Sequence, residues 1–520
     1  PGHNFQNSYG YDAASNRTSL TAPDGSTNSY QYDTLNRIAT LTNSLTGQFG
    51  FAYDALSRRT QLTRPNGVNT NYNYDSVSHL LSVLHQAGST TLDGASYGYD
   101  YAGNRTSKTN YLNGTTSNYG YDAIYELLQV TQGGSTTESY SYDAVGNRMS
   151  SSGVPTYSYN SSNELTSNSS GSYTYDANGN TLTDSSGKQY SWDFENRLTQ
   201  AINPGVGTTT FRYDPFGRRI QKSGPNGTIN YLYDKHGLIE EVDNTGNVLT
   251  RYTQSKGIDR PLAQLRSGTT SYYQQDGLGS VTSLSNSAGA LAGTYTYDSY
   301  GKATASTGTP TNPLQYTARE FDSETSLLFN RARYFDPSVG RFLNQDPIQF
   351  GGGTNFYAYT RNNPIVRTDP LGYYSGSGVV GSIYLGPDGV WQNDGPPLPP
   401  DPSGGCSPEQ WAQSPGACAG PQGADEPDPY MRPPNPNKCD KGDQPPDEPP
   451  DQPPPDQPPV IPPLVSDKTC LNWTLADAWM AGFVEGSALF GQEELAAPVA
   501  VIELGSLGAH RIVCGNWFDF

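Results

Sequence analysis

Three Asp-Pro pairs fall within one short stretch of this 520-residue chain: Asp336-Pro337, Asp346-Pro347 and Asp369-Pro370. Arg333 and Arg341 stand among them, in a segment (311–372) that is denser in Arg, Phe, Asn and Pro than the rest. By residue type alone, Asp before Pro is a turn initiator, so Asp336, Asp346 and Asp369 predict a tightly folded, loop-rich plug.

The remaining residues able to do chemistry lie near the C-terminus. His510, followed by Arg511, is the one histidine beyond residue 372. Glu493 and Glu494 could be grouped with it, but their spacing compels no active site, and a lone histidine reads first as a structural one. No nuclease, deaminase or ADP-ribosyltransferase signature is recognisable. All five cysteines (Cys406, Cys418, Cys439, Cys470 and Cys514) follow residue 400 and form no paired Cys-x-x-Cys set, so a zinc site is not expected. In an extracellular setting they allow up to two disulfides with one thiol left over, Cys470 to Cys514 being the first pair to try. No nucleotide loop, dinucleotide glycine pattern or Ser-His-Asp order is present, so no cofactor is expected. The Asp- and Gly-containing turns do not make a calcium repeat.

The elements that must hold these residues are written as an array. Asp12, Asp33, Asp54 and Asp75 each follow a tyrosine and stand 21 residues apart. The pattern is roughly Tyr-x-Tyr-Asp, three residues, then Asn-Arg. It continues through Tyr99, Tyr121, Tyr142, Tyr175, Trp192, Tyr213 and Tyr233, with Tyr297-Asp298 as a late copy and less regularity after Asp234. A fixed period of this length marks one supersecondary unit that must stack on its neighbours to bury a core. Alternating stretches such as Tyr30-Gln31-Tyr32 and Ile38-Ala39-Thr40-Leu41 read as paired strands, and Asp24-Gly25 or Asn66-Gly67 as the turns between them. A long antiparallel sheet that curls on itself is therefore expected. With 38 Tyr, only 3 Met and 16% charged residues, its core must be made largely of tyrosine.

Beyond residue 372 the composition shifts. Residues 373–520 hold 5 Lys plus Arg against 20 Asp plus Glu, which is −15 of the total −19. Binding of the shell or tail to a nucleic-acid backbone is not expected, because counterion release needs clustered cations. Of the 40 prolines, 24 lie between Pro396 and Pro463, which reads as an extended spacer. Residues 472–517 then show helical periodicity through Leu475, Trp479, Phe483 and Leu489. Glu485, Glu493, Glu494 and Glu503 break every apolar run, so no membrane span is expected. No basic, apolar leader stands before the first repeat, and with Pro1 in first place the chain reads as the C-terminal piece of a longer protein.

The repeats are followed by a string of specific words: Arg333-Tyr334-Phe335-Asp336-Pro337, Gly340-Arg341-Phe342-Leu343, Asp346-Pro347-Ile348, Asn362-Asn363-Pro364 and Asp369-Pro370-Leu371-Gly372. Repeats and string together resemble the rearrangement-hotspot (RHS) and YD-repeat family over about residues 1–372. The resemblance implies an all-β fold, an antiparallel YD-repeat sheet wound into a partial hollow shell. The expected domains are the repeat shell at 1–310, the core-associated plug at 311–372, an acidic Gly/Pro-rich linker at 373–465 and a variable, helical module at 466–520. It also implies self-cleavage of aspartyl-protease type, with Asp346 and Asp369 as paired carboxylates, Arg333 beside them, and the scissile bond at or near Gly372-Tyr373. Many relatives carry leucine where this chain has Tyr373.

Bacterial members of the family are mostly polymorphic toxins or cocoon components of insecticidal complexes, secreted or held at the cell surface, and animal teneurins use a similar shell for adhesion. The expected partners are accordingly the chain's own C-terminal module as cargo and a cognate immunity protein. The alternative is an adhesion protein whose tyrosines stack on cell-surface glycans.

Overall fold

The computed structural model describes residues 5–373 and the backbone of two short paired strands, Ile383–Leu385 and Trp391–Asn393. The rest of the expected linker and the whole terminal module, with His510, Cys470 and Cys514, lie outside the described residues.

One repeat shows why its residues recur. The strand Gly47–Tyr53 pairs antiparallel with Arg59–Thr63, and Asp54 caps the turn between them. Its Oδ1 accepts the amides of Leu56 (3.0 Å) and Arg58 (2.9 Å), while Oδ2 pairs with the Arg58 guanidinium at 2.7 Å. Arg58 also donates to the Asp75 carbonyl (2.8 Å) and Ser78 hydroxyl (3.2 Å) of the next repeat. The Tyr53 hydroxyl donates to the Ile38 carbonyl of the preceding repeat at 2.9 Å, and Tyr74 to Arg59, Tyr142 to Leu127 and Tyr213 to Leu198 do the same. Each tyrosine thus packs by its ring and satisfies a neighbour's carbonyl by its hydroxyl. The ladder slips where it does so: Ala52 faces Gln61 but Tyr53 faces Arg59, a bulge that bends the sheet. The second arginine of the pattern turns inward, as Arg59 lies over the Tyr72 ring at 4.7 Å.

Repeated, this unit gives two 14-stranded meanders, Ser8–Tyr11 through Arg148–Ser151 and Thr174–Tyr175 through Ala303–Gly308, with a three-stranded sheet between them. Every strand pairs with its sequence neighbours, and neither long sheet pairs its first strand with its last, so the shell is open.

The second meander returns along the first as the next tier of a coil. Tyr9 donates to Asp234 at 3.1 Å, the Thr46 and Thr253 hydroxyls meet at 2.8 Å, Lys108 pairs with Asp276 at 2.9 Å, and the Tyr142 and Tyr300 hydroxyls meet at 2.7 Å. Along that series the chain separation falls from 225 residues at Tyr9–Asp234 to 158 at Tyr142–Tyr300. The coil tightens as it proceeds.

After Asp234 the Tyr-Asp signature fades, yet the sheet runs on regularly to Gly308. The strands Gly237–Val242, Pro261–Arg266 and Thr269–Gln275 are buried along consecutive residues. A strand covered on both faces loses the alternation by which an exposed repeat is read.

Residues 320–342 form a four-stranded sheet (Glu320–Asp322, Leu327–Asn330, Arg333–Asp336, Arg341–Phe342) packed against both meanders. Phe335, Phe342 and Tyr359 share a core with Leu127 and Val130 of the first; Phe329, Tyr334 and Leu343 share one with Tyr190 and Phe211 of the second. Beside that second core runs a buried ionic network in which Arg219, wholly inaccessible, pairs with Asp322 and Glu320, and Lys222 pairs with Asp322 and Glu324 at 3.0 Å each.

Candidate active site

Arg333 sits on the third strand of this small sheet and points its guanidinium over the Phe342 ring, 3.6 Å from the centroid. Its Nη2 contacts Asp346 Oδ2 at 3.0 Å and Asp369 Oδ2 at 2.9 Å, so two carboxylates converge on a single nitrogen. Its Nη1 donates to the Phe356 carbonyl at 3.0 Å, which also accepts the Asp346 amide at 2.9 Å and so ties the loop bearing Asp346 to the arginine. All three side chains are buried, with exposures of 2% for Arg333, 6% for Asp346 and 1% for Asp369.

Burial pushes the Asp346 carboxyl up to about 7; Arg333 pulls against that rise and the charge of Asp369 adds to it. Gly352 lies so close that a Cβ there would press on the Asp346 carboxylate. The aspartates also keep the turn-forming habit of Asp-Pro: Asp346 Oδ1 accepts the Ile348 amide at 3.1 Å, Asp369 Oδ1 the Gly372 amide at 2.8 Å, and Asp336 Oδ1 the Ser338 amide at 2.8 Å. Asp336 does only this. Its bonds go to Ser338, and it lies outside the Arg333 pair.

The segment 369–372 is held carbonyl by carbonyl. Asn330 Nδ2 donates to the Asp369 carbonyl at 3.0 Å, Arg319 Nη1 to that of Pro370 at 3.0 Å, and the Ala332 amide to that of Leu371 at 3.1 Å; Arg331 also contacts the Pro370 carbonyl. Gly372 has φ of +74°, and a Cβ there would collide with the Asn330 carbonyl, so only glycine fits. Tyr373 is half-buried, and its phenol is pushed up by that burial and by the charges of Asp346 and Asp369. The structure therefore brings Arg333 and Asp346 together with the segment that carries Asp369, Gly372 and Tyr373.

The model of the teneurin YD-shell family matches residues 87–365, more than half of the chain. The chain belongs to this family. Among curated proteins, this YD-shell chain is 34% identical over 174 residues to the tRNA3(Ser)-specific nuclease WapA of Bacillus spizizenii, covering 32% of the chain and 7% of the relative. It is 30% identical over 226 residues to double-stranded DNA deaminase toxin A of Burkholderia cenocepacia, covering 38% and 15%. It thus spans only a small part of the length of these relatives. Among solved structures, the crystal structure of TcdB2-TccC3 superposes with a TM-score of 0.61 at 21% identity, covering 71% of this chain and 22% of that one, which shows a shared fold.

Three residues of the YD-shell site were not singled out from sequence: Asp259, Arg319 and Arg331. Arg319 and Arg331 both pair with the Asp259 carboxylate, the latter at 2.7 Å. Arg319 stands within the 311–372 segment, but Asp259 lies 60 residues away from it in a loop of the second meander, and nothing local marks it.

Proposed function

We propose that this chain is the C-terminal part of a secreted or surface-held bacterial toxin-delivery shell that cuts its own backbone near Gly372-Tyr373 and frees the segment beyond. The observation that carries the reading is the sharing of one Arg333 nitrogen by Asp346 and Asp369, the latter also bonded to the Gly372 amide. The names of the similar nuclease and deaminase toxins support the cargo half of the reading.

In the proposed reaction Asp346, protonated near neutrality, is the acid and Asp369 the base. A water oxygen bonds to the Gly372 carbonyl carbon while one of its protons passes to Asp369. Asp346 gives its proton to the Tyr373 nitrogen as the C–N bond breaks. The products are a Gly372 carboxyl and a Tyr373 amine, and the pair ends with its single proton moved from one carboxylate to the other. Arg333 keeps the charge of the dyad compensated throughout and fixes the two groups relative to each other. The chain's own tail is the cargo, and a cognate immunity protein is the expected partner in a producing cell. Adhesion through tyrosines stacked on glycans finds less support, because most repeat tyrosines spend their ring on the core and their hydroxyl on a carbonyl.

The test is the denatured intact mass of the purified chain beside Asp346→Asn and Asp369→Asn. Splitting of the wild type near Tyr373 with both variants whole is the expected result. A wild type that stays whole under conditions where it is folded removes the autoprotease reading.

A further inference from the structure

The segment carrying the proposed scissile bond is gripped from two directions. Asp346, Asp369, Arg333 and Asn330 all come from the core-associated segment itself. The Pro370 carbonyl is instead held by Arg319 and Arg331, and these two guanidinium groups are aligned by one carboxylate from outside that segment, Asp259 of the second meander. The Asp259 side chain is mostly shielded, with 12% exposed, and its own backbone sits at φ of +57°, the left-handed region that Asp tolerates better than most residues. Arg331, likewise at +59°, also donates to the His236 carbonyl at 3.1 Å, a second contact with the same tier.

Without Asp259, Arg319 and Arg331 would be two like charges crowded on one carbonyl. With it, each becomes a fork with one prong on the carboxylate and one on Pro370. The grip falls two residues before Gly372. Among the described residues, the carbonyls of Asp369, Pro370 and Leu371 each accept a hydrogen bond, whereas no bond to the Gly372 carbonyl is formed. The segment is thus fixed up to the residue before the reacting carbonyl, as positioning of that carbonyl for attack by water requires.

We propose that the Asp259–Arg319–Arg331 clamp is a checkpoint that makes cleavage depend on docking of the second tier. Until the loop bearing Asp259 has closed over the core-associated segment, the arginines are not aligned, the Pro370 carbonyl is not held, and Gly372-Tyr373 is out of register with Asp346 and Asp369. Asp259 is in this sense a positioning residue: it touches neither the scissile bond nor the paired carboxylates, and acts through the two arginines. The inference rests on the self-cleavage reading and adds its regulation, so that the chain is cut only after its container is built.

The experiment follows the time course of cleavage of the full chain after refolding, for wild type, Asp259→Asn and Arg331→Lys. Hydrogen exchange at the Ala332 and Gly372 amides is measured in each on an Asp346→Asn background that keeps the chain whole. The expected result is cleavage slowed by about ten- to a hundredfold in both variants, as for a misplacement of about 1 Å. Exchange should rise at Ala332 and Gly372 but not at the repeat strands, and the dependence of rate on pH should be unchanged because the dyad is intact. Asp259→Glu should recover part of the rate. Arg331→Lys keeps the charge and is the arm that remains folded should Asp259→Asn unfold the loop. Wild-type rates in a folded variant overturn the checkpoint and leave self-cleavage standing, and so does a loss of rate accompanied by exchange throughout the shell. A wild type that never splits removes the underlying reading instead.

Discussion

The rim of the shell and the interior of the core-associated segment use the same residue in the same turn and obtain opposite chemistry from it. Asp33, on the rim, accepts the amides of Leu35 and Arg37 at 2.9 and 3.0 Å and pairs with Arg37. Its slight burial would raise its carboxyl, but the arginine and the two amides outweigh that and hold it below the usual carboxylate range. Asp346 makes the matching contact with the amide two residues on, yet it is buried, shares its arginine with a second carboxylate, and is pushed up to about 7. The turn motif is common to both. On the self-cleavage reading, what separates a structural aspartate from a reactive one is the number of carboxylates competing for each guanidinium and the water excluded around them.

The largest effect that would break this comparison is on cleavage. Asp346→Asn or Asp369→Asn should leave the chain whole, a loss of at least about a thousandfold within the range of general acid–base catalysis, whereas Asp33→Asn should cleave like wild type, read by intact mass. Next comes stability. Arg219→Ala takes the guanidinium from Glu320 and leaves buried Asp322 with Lys222 as its remaining cation, and should cost about 3–5 kcal/mol, measured as a fall in the denaturation midpoint. Arg37→Ala on the rim should cost under about 1 kcal/mol.

The pH response sharpens the contrast further. If Asp346 is the acid, its protonated fraction falls as pH rises through 7, and cleavage should be about tenfold slower at pH 8 than at pH 6. The rim aspartates have lowered values, so their contribution to stability is present above the unfolded pKa and is lost only as pH falls through the folded one, below about pH 4. Glu240, raised to about 8 by burial and by Asp24 across the tier contact, has the opposite sign. The tier contact should be firmest under acid conditions and weaken as pH rises towards 8, a trend that limited proteolysis at pH 6 and pH 9 would detect. Small like that of Arg37→Ala is the effect of Tyr53→Phe, which removes one hydroxyl-to-carbonyl link between repeats and should cost about 0.5–1.5 kcal/mol.

The repeats were legible because their physics is local. A carboxylate capping its own turn and a strand alternating in and out each leave a mark within a few residues, and the 21-residue spacing of Asp12 to Asp75 records them. What joins one repeat to the next was not legible, since the bond from Tyr53 to Ile38 crosses 15 residues and could be read as mere packing. The coil's second tier was hidden for a different reason: strands such as Pro261–Arg266 are buried along consecutive residues and lose their alternation. In the site, Asp346, Asp369 and Arg333 were reached through the family words and not through spacing, which by itself reads them as turn residues. Asp259 has no word and no period, only a place in the folded tier.

Among the described residues, the segment 369–372 is held by Asn330, Arg319, Arg331, Ala332 and Arg333, each of which precedes Tyr373. These bonds are drawn from side chains and amides that lie before the proposed cut. On the self-cleavage reading, a recombination event joining a different passenger after Tyr373 would keep these bonds, so a lineage could exchange what the shell carries without evolving a new means of letting it go.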